Sequence, residues 1–125
     1  MKIGYFADGP WSYEALNKLV DDSRFQVVFI CARYKNPDPY LKKRAKELGT
    51  EFLVEKNVNN ESFIDKVKKF NCDLFVSMSF DQIMKEELFS IPDFGTINCH
   101  AGKLPMYRGR NILNWVLING EEDFG

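Results

Sequence analysis

The seven residues from Gln26 to Ala32, QVVFICA, are apolar except for the first. A run that short and that continuous reads as a strand covered on both faces, not one alternating between core and solvent. Such strands belong to parallel sheets, where the crossover segments lay helices over both sides. The rest of the chain fits this. Strands are expected over Lys2–Phe6, Glu51–Glu55, Asp73–Met78 and Gly95–His100. Helical spacing is expected over Ser12–Asp22, Tyr40–Leu48, Asn60–Phe70, Gln82–Phe89 and Asn111–Asn119, with Ser12 as the first N-cap and Gly49 and Gly120 as stops. Strand and helix alternate with short connections, which predicts an α/β fold with a mostly parallel sheet and helices on both faces.

At 125 residues the chain fits one domain, and 45% hydrophobic residues with eleven phenylalanines supply its core. The 17 basic and 18 acidic side chains leave a formal charge of −1. That balance gives no field to draw in nucleic acid and no basic tract for an acidic membrane. Cys31, Cys72 and Cys99 form no C-x-x-C pair and read as buried, reduced thiols. No run approaches the roughly 20 apolar residues that span a bilayer, and no signal-peptide pattern opens the chain. The expectation is a soluble cytoplasmic protein. Lys42, Lys43, Arg44 and Lys46 read as a solvated helix face over the stripe Leu41, Ala45, Leu48. The last helix is apolar around most of its circumference, through Ile112, Leu113, Trp115, Val116, Leu117 and Ile118, and is expected to be buried.

In open parallel sheets ligands sit beyond the carboxyl ends of the strands, where the strand order reverses. In the usual order strands one, four and five meet there, bringing together the loops Ala7–Trp11, Ser79–Gln82 and His100–Arg110. The first loop is not G-x-G-x-x-G, so a standard dinucleotide pocket is not indicated. The chain's single histidine, His100, falls at this place. Strand alternation sends Asn98 and His100 to one face, about 7 Å apart, and Cys99 to the other, toward the core. A lone His beside one Cys does not make a zinc site, so no metal is expected. A structural histidine remains open. An amide beside an imidazole also suits acyl transfer to an amine: the amide stabilises the oxyanion while the imidazole takes the amine's proton.

The stretch INCHAGKLPMYRGRNILNWVLING, Ile97 to Gly120, is similar to the core signature of the folate-dependent formyltransferases: Asn-x-His, a loop with Leu-Pro, Tyr-Arg-Gly, then an apolar helix. The resemblance implies a Rossmann-like catalytic domain, of which residues 1–125 would be the N-terminal part, truncated at its C-terminal end. It implies N10-formyltetrahydrofolate as co-substrate, with Asn98 polarising the formyl group and His100 serving as general base. Met78, Phe80, Gln82 and Ile83 would line the pterin slot, chiefly through backbone groups. Within the family the chain most resembles the sugar-nucleotide N-formyltransferases, because His100-Ala101-Gly102-Lys103 departs from the His-Pro-Ser-Leu-Leu-Pro of the other branches. A nucleotide-linked amino sugar would then be the acceptor, feeding polysaccharide biosynthesis, with Trp11, Lys103 and Arg110 as its contacts. Tyr107 and Trp115 are assigned to packing. The alternatives are methionyl-tRNA or glycinamide ribonucleotide formylation, or a non-catalytic interaction module. The family's aspartate beyond the apolar helix is not matched by Glu121, Glu122 or Asp123, so the 125-residue chain is expected to turn over slowly. A homodimer is allowed for the full-length protein.

Overall fold

The computed structural model describes residues 1–125. Five parallel strands, β1 (Lys2–Ala7), β2 (Gln26–Ala32), β3 (Glu51–Val54), β4 (Leu74–Met78) and β5 (Thr96–Cys99), form one sheet in the order β3-β2-β1-β4-β5. The order reverses between β1 and β4. The crossovers carry α1 (Pro10–Asp21), α2 (Pro39–Leu48), α3 (Glu61–Lys68) and α4 (Glu86–Phe89), and α5 (Ile112–Ile118) follows β5. The result is the α/β, Rossmann-like arrangement.

Two cores form, one on each side of the sheet. Leu16 of α1 and Leu41 and Ala45 of α2 pack on Ile3, Tyr5, Ala7, Ile30, Ala32 and Val76. On the other side Phe63, Ile64 and Val67 of α3 and Leu88 of α4 pack on Phe6, Phe29, Cys31, Leu53 and Phe75. Phe6 is the hub here. Its ring meets those of Phe29, Phe75 and Phe80 at 5.4, 5.2 and 5.4 Å between centroids, all edge-on. Gly4 makes room for this, since a Cβ there would lie 2.5 Å from the Phe29 ring and 2.6 Å from that of Phe75.

Capping is local chemistry. Asp38 starts α2 by accepting from the amides of Tyr40 and Leu41, and Gly49 ends it in the left-handed conformation. Asn60 caps α3 through the amide of Phe63. Ser12 is not a cap. Pro10 at the first turn starts α1 two residues earlier, after Gly9, and Ser12 is buried inside the helix with its hydroxyl bonded to the Gly9 carbonyl at 2.7 Å.

Three further expectations fail. The helix foreseen from Gln82 is only Glu86–Phe89, because residues 79–85 are held by side-chain bonds to another loop. Leu48, at the end of its stripe and beside the Gly49 cap, is 36% exposed. In α5 only Ile112 and Val116 are buried, while Trp115, Leu117 and Ile118 are 56, 71 or 78% exposed in the order Trp115, Ile118, Leu117. No neighbouring element of these residues covers its outer face.

Candidate active site

One row across the sheet explains the position of the site. Leu53, Cys31, Phe6, Ser77 and Asn98 are successive partners on β3, β2, β1, β4 and β5 and share a face. The row is apolar over the core and turns polar at its last two members, where it leaves the shelter of α3. Ser77 and Asn98 open into a cavity of about 1010 Å³ that also takes in Trp11, Phe80, Gln82, Ile83, His100 and Arg110. The cavity lies at the carboxyl ends of β4 and β5, beside the strand-order reversal, where α/β sheets bind ligands. A smaller hollow of about 360 Å³ between α1 and α2, lined mainly by charged residues, lies away from the strand ends.

Asn98 and His100 are thus brought to one cavity, and Cys99, expected in the core, is exposed and borders the same cavity. Its side of the sheet continues the row Val54, Ala32, Ala7, Met78, and no helix roofs that row at β5. Cys31 and Cys72 are buried as expected, and burial pushes both thiols up, that of Cys72 to about 12.

His100 is half-buried, with Nε2 2.5 Å from the carbonyl oxygen of Tyr107. A carbonyl only accepts, so Nε2 carries the proton and Nδ1 keeps the free lone pair. The loop behind it closes on itself: the amide of Tyr107 bonds Lys103 O at 2.9 Å, and Gly102 lies so close to the Tyr107 carbonyl that a Cβ would meet its oxygen at 2.3 Å. Leu104-Pro105 in this loop is cis.

The remaining candidate residues divide. Trp11, 74% exposed, and Arg110 line the cavity mouth. Lys103 lies outside the cavity lining, with its ammonium 3.2 Å from Asp123. Met78 is half-buried behind the cavity on the α1 side. Phe80 serves both roles, packing on Phe6 and facing the cavity. Ile83 is 88% exposed on the wall. The side chain of Gln82 is committed elsewhere: it accepts from the amide of Val58 at 3.0 Å and donates to Glu55 O at 2.8 Å. Tyr107 bonds Glu121 and Asn119 at 3.0 and 3.1 Å, whereas Trp115 does not pack as expected.

Sequence reasoning passed over two carboxylates. Asp8 immediately follows β1 and Asp81 lies just beyond β4, and each has one buried oxygen without a hydrogen-bond partner. Arg33 Nε lies 3.3 Å from that oxygen of Asp8, near enough to pair but out of line for a hydrogen bond. Burial raises the carboxyl pKa of Asp8. Arg33 pulls it down, Asp81 and Asp38 push it up, and Arg110 lowers it.

The family model described as "Formyl transferase" matches residues 1–125, and the chain belongs to that enzyme family. It is 34% identical over its whole length to "Methionyl-tRNA formyltransferase" of Clostridioides difficile (strain 630), of which it spans 43%. It is also 34% identical, over 85% of its length, to "Bifunctional polymyxin resistance protein ArnA" of Wigglesworthia glossinidia brevipalpis, of which it spans 15%. Among solved structures, phosphoribosylglycinamide formyltransferase from Anaplasma phagocytophilum superposes with a TM-score of 0.76 at 20% identity, covering 99% of this chain and 66% of that one. At that identity the likeness speaks for the fold. The chain spans less than half the length of the first of these relatives. No helix is long and apolar enough to cross a membrane, and no cluster of potential metal ligands is present.

Proposed function

We infer that the chain carries the catalytic strands of an N-formyltransferase, moving the formyl group of N10-formyltetrahydrofolate to a primary amine. One observation supports this most: an exposed carboxamide, Asn98, and an imidazole with Nδ1 free, His100, share a cavity with the Ser79–Ile83 wall at the strand ends. The amine attacks the formyl carbon directly, so no serine or cysteine nucleophile is required. Asn98 donates to the oxygen as it becomes an oxyanion, and His100 Nδ1 takes the proton the nitrogen sheds. The tetrahedral centre then collapses, the bond to the folate N10 breaks, and His100 returns its proton so that N10 leaves as the neutral amine. The products are a formamide and tetrahydrofolate.

Of the acceptors, methionyl-tRNA has the support of relatives so named that match the chain throughout. A nucleotide-linked amino sugar is the second reading. It rests on the His100-Ala101-Gly102-Lys103 loop, on Trp11 and Arg110 in the cavity lining, and on a net charge of −1, which gives no overall field to draw in a tRNA. Incubation of the full-length protein with N10-formyltetrahydrofolate and, in parallel, methionyl-tRNA, glycinamide ribonucleotide and a nucleotide-linked 4-amino sugar, read by mass spectrometry, separates these. Formylation of one acceptor is expected. Substituting Asn98→Ala or His100→Ala lowers the rate by about 10²-fold or more with the fold intact. No transfer to any of the three amines, or wild-type rates in both variants, overturns the reading.

A further inference from the structure

The wall of the cavity from Ser79 to Met84 makes no backbone–backbone hydrogen bond. It leaves β4 through Ser79 in the left-handed region, at φ 57°, and re-enters regular structure only at α4. A segment of this kind would ordinarily wander. Two amide side chains hold it instead. Asn59 donates from Nδ2 to Ile83 O at 2.8 Å and accepts at Oδ1 from the amide of Lys85 at 2.7 Å. Gln82 reaches back across the same gap to the Val58 amide and the Glu55 carbonyl. Each partner dictates which end of the carboxamide is oxygen and which is nitrogen, so the orientation of both is fixed. The turn that supplies Asn59 is itself anchored by Val58, fully buried, and by Glu55, whose carboxylate accepts from the Asn57 amide and from Asn60 Nδ2.

We propose that Asn59, with Gln82 as its counterpart, is a positioning residue for the folate-side wall: it sets where the free backbone groups of residues 79–84 stand in the cavity. Asn59 is not among the residues lining the cavity, so it acts through the wall alone. The proposal rests on the folate reading above. Four bonds fix the wall without using the backbone donors and acceptors of Phe80 and Asp81, which stay free to pair with a planar heterocycle. Gln82 therefore acts by fixing the wall, with its own amide group already spent.

The test is calorimetric titration of the protein with 5-formyltetrahydrofolate, a stable reduced folate. Asn59→Ala weakens binding about tenfold, as expected for two lost hydrogen bonds. Asn59→Asp keeps the acceptor for the Lys85 amide, loses the donor to Ile83 O, and falls between the two. Thr50→Val deletes a hydrogen bond of similar kind, to Val27 O at 2.7 Å, at the far edge of the sheet, and leaves the affinity unchanged. Wild-type affinity in Asn59→Ala, or an equal loss in Thr50→Val, overturns the positioning role while the folate reading stands. If the wild-type protein takes up no reduced folate, the folate reading fails, and this proposal with it.

Discussion

Two apolar heptapeptides meet opposite fates in this molecule. QVVFICA forms β2, and its residues Phe29 to Ala32 are completely buried, with β1 and β3 on its flanks and helices on both faces. ILNWVLI forms α5, and only Ile112 and Val116 are covered. The two segments differ little in apolar content. What differs is position: β2 is an interior strand of the sheet, whereas α5 follows the edge strand β5 and has no further layer against its outer side. Hydrophobicity states what has to be covered, and topology decides whether these residues supply the cover. The same division runs through the sheet. Every residue from Ile3 to Ala7 is buried, while Ile97, Asn98 and Cys99 of β5 are exposed. Stability resides in the closed half and the site in the open one.

The largest expected effect would break this comparison outright. Replacing Phe6, which joins the rings of Phe29, Phe63, Phe75 and Phe80 in the closed half, with alanine costs about 3–5 kcal/mol of folding stability by urea denaturation. Trp115→Ala in the open half changes stability by no more than about 0.5 kcal/mol. Similar losses in the two variants would mean that α5 is packed as tightly as β1.

The closed half was legible in the sequence for the same reason that it is stable. A strand buried on both faces must be apolar throughout, and β2 was read to its true ends at Gln26 and Ala32. The stop at Gly49 is visible because its signal is local, whereas Asn60 reads only as the start of a helix and its capping bond to Phe63 appears in the structure. The pairing of Asn98 with His100 followed from strand alternation alone. Other features depended on distant partners. Nothing near Gln82 says that its amide is engaged by a loop 24 to 27 residues upstream, so helical spacing there extended α4 too far. Cys99 was sent to the core by alternation, which was right about its side of the sheet; its exposure follows from what lies over that side.

A smaller effect sharpens the comparison at the site itself. Gly102→Ala would place a methyl group against Tyr107 O, the oxygen that receives the His100 Nε2 proton. Overpacking of this kind costs about 1–3 kcal/mol. In the open half the strain can be relieved by moving the loop, so the loss falls at the low end and the imidazole is released instead. ¹⁵N chemical shifts of the histidine ring then show a mixture of tautomers where the wild type shows Nε2–H. A single unchanged tautomer would mean that the carbonyl does not hold the ring.

The smallest effect belongs to the rim of the closed half, where α1 meets the start of α2. Tyr13 donates its phenolic proton to Asp38 at 2.5 Å, and Asp38 also caps α2. That hydrogen bond, then burial, then the charges of Asp38 and Asp8 raise the Tyr13 pKa from 10 to about 12. The folded chain therefore holds this proton more tightly than the unfolded chain. The stabilisation is complete below pH 10 and disappears as pH rises through about 12. Tyr13→Phe should lower stability by about 1 kcal/mol near neutral pH, and the gap to wild type should close along the alkaline limb as the wild-type phenol ionises. Following the Tyr13 ring by NMR gives its midpoint directly. A midpoint near the ordinary value of 10 would show the tether between α1 and the Asp38 cap to be loose, and would move the boundary between the two halves inward, toward β1 and β2.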